Sequence, residues 1–118
     1  MGDSFRDLIV WQRAIQLSTS IYRLTADFPK EEVYGLTSQL RRAGVSIANN
    51  IAEGYGRGST GEYKQFLGMA RGSNCEPQTQ LIIANELGFG VTAKLHLSDQ
   101  LSHEVGKMLV AILNKLST

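Results

Sequence analysis

Cysteine is almost missing from this chain. One residue, Cys75, stands among 118, so no disulfide forms within the chain and a reducing compartment fits. Proline is nearly as scarce, at two residues, Pro29 and Pro77, which leaves long stretches open to helix. Neither sign of charge dominates. Twelve Lys and Arg face eleven Asp and Glu, a formal net charge of +1, so the average surface does not mark a nucleic-acid partner. Any basic patch has to come from local clustering. No apolar run approaches the roughly 18 residues of a membrane span, and no basic-then-apolar leader opens the sequence. Internal repeats, low-complexity segments and alternating strand patterns are also missing. These absences predict a cytoplasmic protein with no membrane partner.

What is present is helical periodicity. With 42% hydrophobic residues, the chain reads as one globular domain over 1–118. Leu8, Trp11, Ile15 and Tyr22, with Ala14, Leu17 and Ile21, describe a stripe on a first helix over about 5–26. Asp3 or Ser4 is its expected cap, and Trp11 its expected core anchor. Phe28-Pro29 stops it. A second helix spans about 34–54, and Gly54, Gly56 and Gly58 are expected to end it. A third spans about 60–88, capped by Ser59 or Thr60. Its Gly68 and Gly72, one turn apart, predict a close backbone approach, and Pro77 predicts either a kink in a continuous rod, which the periodicity on both sides favours, or a break near Ser73 with a restart. Gly88-Phe89-Gly90 closes it. Val91 to Leu97 read as a connection, with Ser98 capping a fourth helix over about 98–116 on the stripe Leu101, Val105, Met108, Ile112 and Leu116. The fold class is all-α, an antiparallel up-and-down four-helix bundle.

The second helix carries two patterns. Leu36, Leu40, Ala43, Ile47 and Ile51 form its apolar stripe. Gln39, Arg42, Ser46, Asn49 and Glu53 recur at steps of three and four on another face. Short amides and a hydroxyl suit partners at fixed distances. Two readings stand: a recognition strip, or a hydrogen-bond network between helices. Arg42 and Glu53 are too far apart to pair directly, which predicts a partner for at least one on another helix or subunit.

Catalytic signatures are missing. His96 and His103 lie seven apart with no ligand partner beside them, so no metal site is expected. Cys75 has no histidine nearby and reads as a small buried residue. The stretch Gly54 to Gly58 lacks the strand and the Lys-Ser/Thr of a phosphate loop. Neither a cofactor nor an enzymatic activity is expected. What remains is positive charge near aromatics: Arg41 and Arg42, Arg57 after Tyr55, Lys64 after Tyr63, and Arg71. Arg binds phosphate bidentately and Tyr stacks on unpaired bases.

Several segments together resemble one family: L-I-V-W-Q-R-A, the run F-P-K-E-E through S-I-A-N-N-I-A-E-G-Y-G-R, Y-K-Q-F-L, A-R-G-S and Q-L-I-I-A-N-E-L-G. The chain is similar to the four-helix bundle proteins encoded in intervening sequences of bacterial 23S rRNA genes. A related branch is the accessory variability protein of diversity-generating retroelements. The resemblance implies a homo-oligomer, a pentameric ring, with no enzymatic activity. It also implies binding of RNA or DNA, or of a polymerase or another protein, through basic surfaces. The matching motif positions are Gln39, Arg42, Ser46, Asn49, Asn50, Glu53, Gly54, Tyr55 and Arg57, then Arg71, Gly72, Ser73 and Glu76. In the family the helix runs from G-S-x-x-E straight into a T-Q pair, whereas here Pro77 intervenes.

Overall fold

The computed structural model describes residues 4–118. Asp3, one of the two expected caps, lies outside them. Ser4 accepts a hydrogen bond from the Arg6 amide and starts a single 3-10 turn, Phe5–Asp7. Four α-helices follow: α1 Ile9–Thr25, α2 Leu36–Gly56, α3 Thr60–Leu87 and α4 Thr92–Leu116. Among the described residues there is no strand. Each helix packs on two others in the cycle α1–α2–α3–α4–α1, which makes a four-cornered bundle 43 Å long and about 20 Å across.

Side-chain pairs give the register. Down the α1–α4 seam, Arg13 pairs with Glu104, Ser20 bonds Ser98 at 2.9 Å, and Asp27 meets Lys94 at 2.7 Å. Numbers rise on one helix as they fall on the other, so the pair is antiparallel. The α2–α3 seam runs the same way, with Ser46 to Ser73 at 3.2 Å and Gln39 to Gln80 at 3.4 Å. The apolar stripes meet inside. Leu17, Ile21 and Leu24 of α1, Leu40, Ile47 and Ile51 of α2, Leu67 and Leu81 of α3, and Val105 and Leu109 of α4 are buried completely or nearly so. Burying each such side chain contributes about 1.5–3 kcal/mol, before the entropy of ordering it.

Several sequence expectations need correction. α4 starts at Thr92, not Ser98. Nothing between Val91 and Leu97 breaks a helix, Leu95 is buried, and Lys94 is held by Asp27. Ser98 is therefore no cap but a fully buried residue bonded to Ser20, and His96 is helical. Gly54 and Gly56 lie inside α2; only Gly58 of that trio has a positive φ, at 83°. Gly54 is where the close approach occurs, because a Cβ there would stand 2.6 Å from Phe66 Cβ. Gly68 and Gly72 face open space instead. Cys75 is exposed, since it sits on the flank of α3 turned away from the core. Tyr22 and Ile15 are also exposed, at the outer margin of the α1 stripe. Trp11 is half-buried against the core margin, edge-on to Phe5 with centroids 5.2 Å apart.

Pro77 does not interrupt α3, which is helical from Thr60 to Leu87. The ring removes one ladder hydrogen bond. It is also fully buried, so apolar packing offsets part of that loss.

Candidate functional site

The polar strip of α2 lies along the groove between α2 and α3, and the structure divides its members. Ser46 reaches across to Ser73, and the Asn50 amide donates to the Ser46 carbonyl at 2.9 Å and to its hydroxyl at 3.2 Å. These form the inter-helix network. Gln39, Arg42, Ser46, Ser73, Glu76 and Gln80, with Ala43, line a cavity of about 350 Å³. Asn49 faces outward instead, beside Tyr22, Arg41 and Val45. It is exposed. Asn49→Ala should therefore leave urea or thermal stability within about 0.5 kcal/mol of the parent. A much larger loss would place Asn49 in a buried network.

Glu53 finds its partner at the end of its own helix, not on another one: Arg57 Nη2 sits 2.8 Å from its carboxylate. Arg42 has no ion-pair or hydrogen-bond partner among the described residues.

The five basic residues singled out from the sequence are not one patch. Arg57 bonds Glu53 and Glu62, at 2.8 and 3.4 Å, and lies over the Phe66 ring. The hydrogen bond it donates to Glu53, more than any other influence, holds its pKa above the ordinary value. Two carboxylates thus neutralise it. Arg41 donates to Thr25 at 2.9 Å and stacks over Tyr22, 4.6 Å from the ring centroid. It clamps α2 to α1. Tyr55 stacks edge-on against Tyr63 at 5.7 Å. Burial, with Tyr55 adding to it, raises the pKa of Tyr63. These two rings are engaged with each other at the α2–α3 turn.

Arg71 is placed differently. It lines a groove of about 550 Å³ between α3 and α4, opposite Lys107 and His103. The amide residues Asn74, Gln78 and Asn114 line it too, with Cys75, Val110 and Ala111, and none of the groove's lining residues is acidic. Outside the lining, the Asp99 carboxylate lies 3.5 Å from His103 Nε2. Lys64, half-buried, lies two turns before Arg71 on the same face of α3 and has no ion pair among the described residues. Gly106 lets the helices approach: a Cβ there would stand 3.2 Å from the Asn74 amide.

Sequence reasoning reached Arg71 and Lys64 but missed Lys107, His103 and Gln78. A signal existed, because His103 and Lys107 lie four apart and share a helix face. Only the α3–α4 register, with Asn74 against Ser102 at 2.9 Å, brings that face opposite Arg71. Among the described residues no cluster of His, Cys, Asp and Glu could hold a metal ion. None of the described helices is long and apolar enough to cross a membrane.

The comparisons agree with this architecture. A solved structure described as a protein of unknown function from the S23 ribosomal protein family of Bacteroides thetaiotaomicron VPI-5482 superposes with a TM-score of 0.78. The two are 19% identical, over 89% of this chain and 98% of that one. At that identity the likeness concerns the fold. No curated protein matches. The family model described as 23S rRNA-intervening sequence protein matches residues 6–111, and on that match the chain belongs to this family.

Proposed function

We propose that this protein is a non-enzymatic, cytoplasmic bundle that binds structured RNA or DNA in the groove between α3 and α4. The supporting observation is the composition of that groove: Arg71 and Lys107 with the His103 imidazole and the amides of Gln78 and Asn114, and no carboxylate in its lining. Cations set among hydrogen-bond donors suit phosphate oxygens, which carry no base identity. One such groove is a modest patch. Assembly around a symmetry axis, as in the pentameric ring the family resemblance implies, repeats it into a band. The family's description ties it to 23S rRNA intervening sequences, so a hairpin RNA is the first ligand to test.

Titrating labelled hairpin RNA and duplex DNA between about 50 and 200 mM salt tests this reading. Affinity that falls steeply across that range supports several phosphate contacts per complex. No binding at the lower salt overturns it.

A second reading, a protein-interaction scaffold or polymerase adaptor without nucleic-acid affinity, draws on exposed apolar side chains. Ile82, Leu87, Val91 and Leu97 are each about half exposed or more. They cluster around the α3–α4 turn and the helix ends beside it. Such residues suit a copy of this chain or another protein. Sedimentation separates the cases, since a ring gives a defined multiple of the chain mass.

A further inference from the structure

Another cavity, of about 390 Å³, opens where α1 gives way to α2. Thr25 at the end of α1, Phe28-Pro29 and Lys30 in the crossing, and Thr37 and Arg41 in the first turns of α2 all border it. Two of these residues are buried threonines, and only one is satisfied. Thr25, 3% exposed, donates to the Ile21 carbonyl at 2.8 Å and accepts from Arg41 at 2.9 Å. Thr37 is 5% exposed, and its side chain makes no hydrogen bond among the described residues. Its oxygen is not sealed from solvent, so the hydroxyl opens on the cavity that Thr37 borders. Buried hydroxyls are nearly always bonded, and a helical threonine has the carbonyl four residues back within reach. One that forgoes that bond and meets a cavity is left for a ligand.

Charge tells what kind of ligand. Lys30 and Arg41 border the cavity, and no bordering residue is acidic. Lys30 is exposed and has no ion pair among the described residues. Arg41 is half-buried and uses only its Nε for Thr25, so its terminal nitrogens remain to donate. Asp27, Glu31 and Glu32 lie outside the lining. Asp27 holds Lys94 at 2.7 Å, and Glu32 accepts from the Leu36 amide at 3.0 Å. The positive end of the α2 dipole adds to the field. The rest of the wall is apolar, from Phe28, Pro29 and Val33.

We infer that this cavity binds a small phosphate monoester with an apolar body. The Arg41 terminal nitrogens and the Lys30 ammonium donate to the phosphate oxygens, and the Thr37 hydroxyl donates to another. A monoester carries nearly two negative charges at neutral pH, which matches two cations. A carboxylate or a phosphodiester carries one. The volume falls within the roughly 300–1,000 Å³ of small-molecule sites. The site is separate from the α3–α4 groove and stands whether or not that groove binds nucleic acid.

The test is calorimetric titration and thermal denaturation of the full chain with phenyl phosphate at up to about 10 mM, which detects millimolar binding. Phenyl phosphate is expected to bind and to raise Tm by about 5 °C. Benzoate and diphenyl phosphate, with one charge each, should bind at least about tenfold more weakly, and inorganic phosphate, without the ring, about threefold more weakly. Lys30→Ala should weaken phenyl phosphate binding about tenfold. Thr37→Val keeps the shape and removes the hydroxyl, so it should weaken binding about fivefold and leave the unliganded Tm no lower than the parent's. Arg71→Glu combined with Lys107→Glu should leave phenyl phosphate binding intact. The inference fails if phenyl phosphate gives neither heat nor a Tm shift, if benzoate binds as tightly, or if binding survives both Lys30→Ala and Thr37→Val unchanged. A Thr37→Val Tm well below the parent's overturns it as well, since the hydroxyl would then be bonded within the bundle. So does loss of binding in the Arg71, Lys107 double variant, which would move the phosphate to the α3–α4 groove.

Discussion

Combining Arg71→Glu with Lys107→Glu is expected to weaken binding of hairpin RNA by about 100-fold at low salt, and to flatten the salt dependence by about two contacts. Each charge-assisted contact is worth roughly tenfold in affinity. Reversal adds repulsion from phosphate. Both residues line the groove, and neither makes an ion pair within the described bundle, so the variant should keep the parent Tm. Arg57→Ala is the control. Glu53 and Glu62 already neutralise Arg57, so its removal should change affinity by no more than about twofold. Equal losses from the groove variant and from Arg57→Ala would assign the effect to general charge and remove the groove from the account.

A large single-residue effect on stability is expected at Gly90. Its φ of 82° lies in the left-handed region, and a Cβ there would stand 2.8 Å from Leu24 Cδ1 and 2.9 Å from Phe28 Cε1. Both of those residues are buried, so neither can swing aside. Backbone strain of about 1–2 kcal/mol and overpacking of about 1–3 kcal/mol act together. Gly90→Ala should therefore lose about 3 kcal/mol and lower Tm by about 10 °C. Gly88 separates the two causes. It has a similar φ, 72°, but faces open space, so Gly88→Ala should lose only the backbone share, about 1–2 kcal/mol. Equal losses at both glycines in urea denaturation would show that the contacts with Leu24 and Phe28 are relieved at little cost.

The bundle itself was legible because its apolar stripes are regular. Leu40, Ile47 and Ile51 fall where a helical period places them, and so do Leu101, Val105 and Leu109. The start of α4 was not legible. Ser98 has the chemistry of a cap, and only the tertiary partner Ser20 reveals a buried pair. Local sequence cannot distinguish a serine that caps from one that bonds across a seam. Amides posed the same difficulty. Asn49 on the conspicuous strip is exposed, whereas Asn74, in an unremarkable stretch, is buried and bonds Ser102 twice. Ser46 and Ser73 could be named as polar motif residues, but their meeting depends on the register of two helices. The basic groove was hidden for a similar reason. Its charges come from two helices that lie side by side in space and about 30 residues apart in the chain.

Arg41 and Arg57 show how charge counted along a sequence misleads. Both belong to a basic, aromatic-rich motif, yet one braces α1 against α2 and the other satisfies two carboxylates beside a helix end. Arg42, between them in pattern if not in space, is the cation left to a cavity.

The serines of α4 have one more consequence. Ser98 meets Ser20 on one neighbour while Ser102 meets Asn74 on the other. Slide α4 by a turn, about 5.4 Å, so that Ser102 comes level with Ser20. Gly106 then faces Asn74 and has no hydroxyl to offer. Slide it the opposite way and Ser98 reaches Asn74, but Lys94 is driven into the seam against Ser20. The two pairs work as a vernier scale whose marks coincide at a single setting. Leucine packing alone tolerates neighbouring settings, so this small polar scale gives an otherwise greasy bundle one length and one set of grooves.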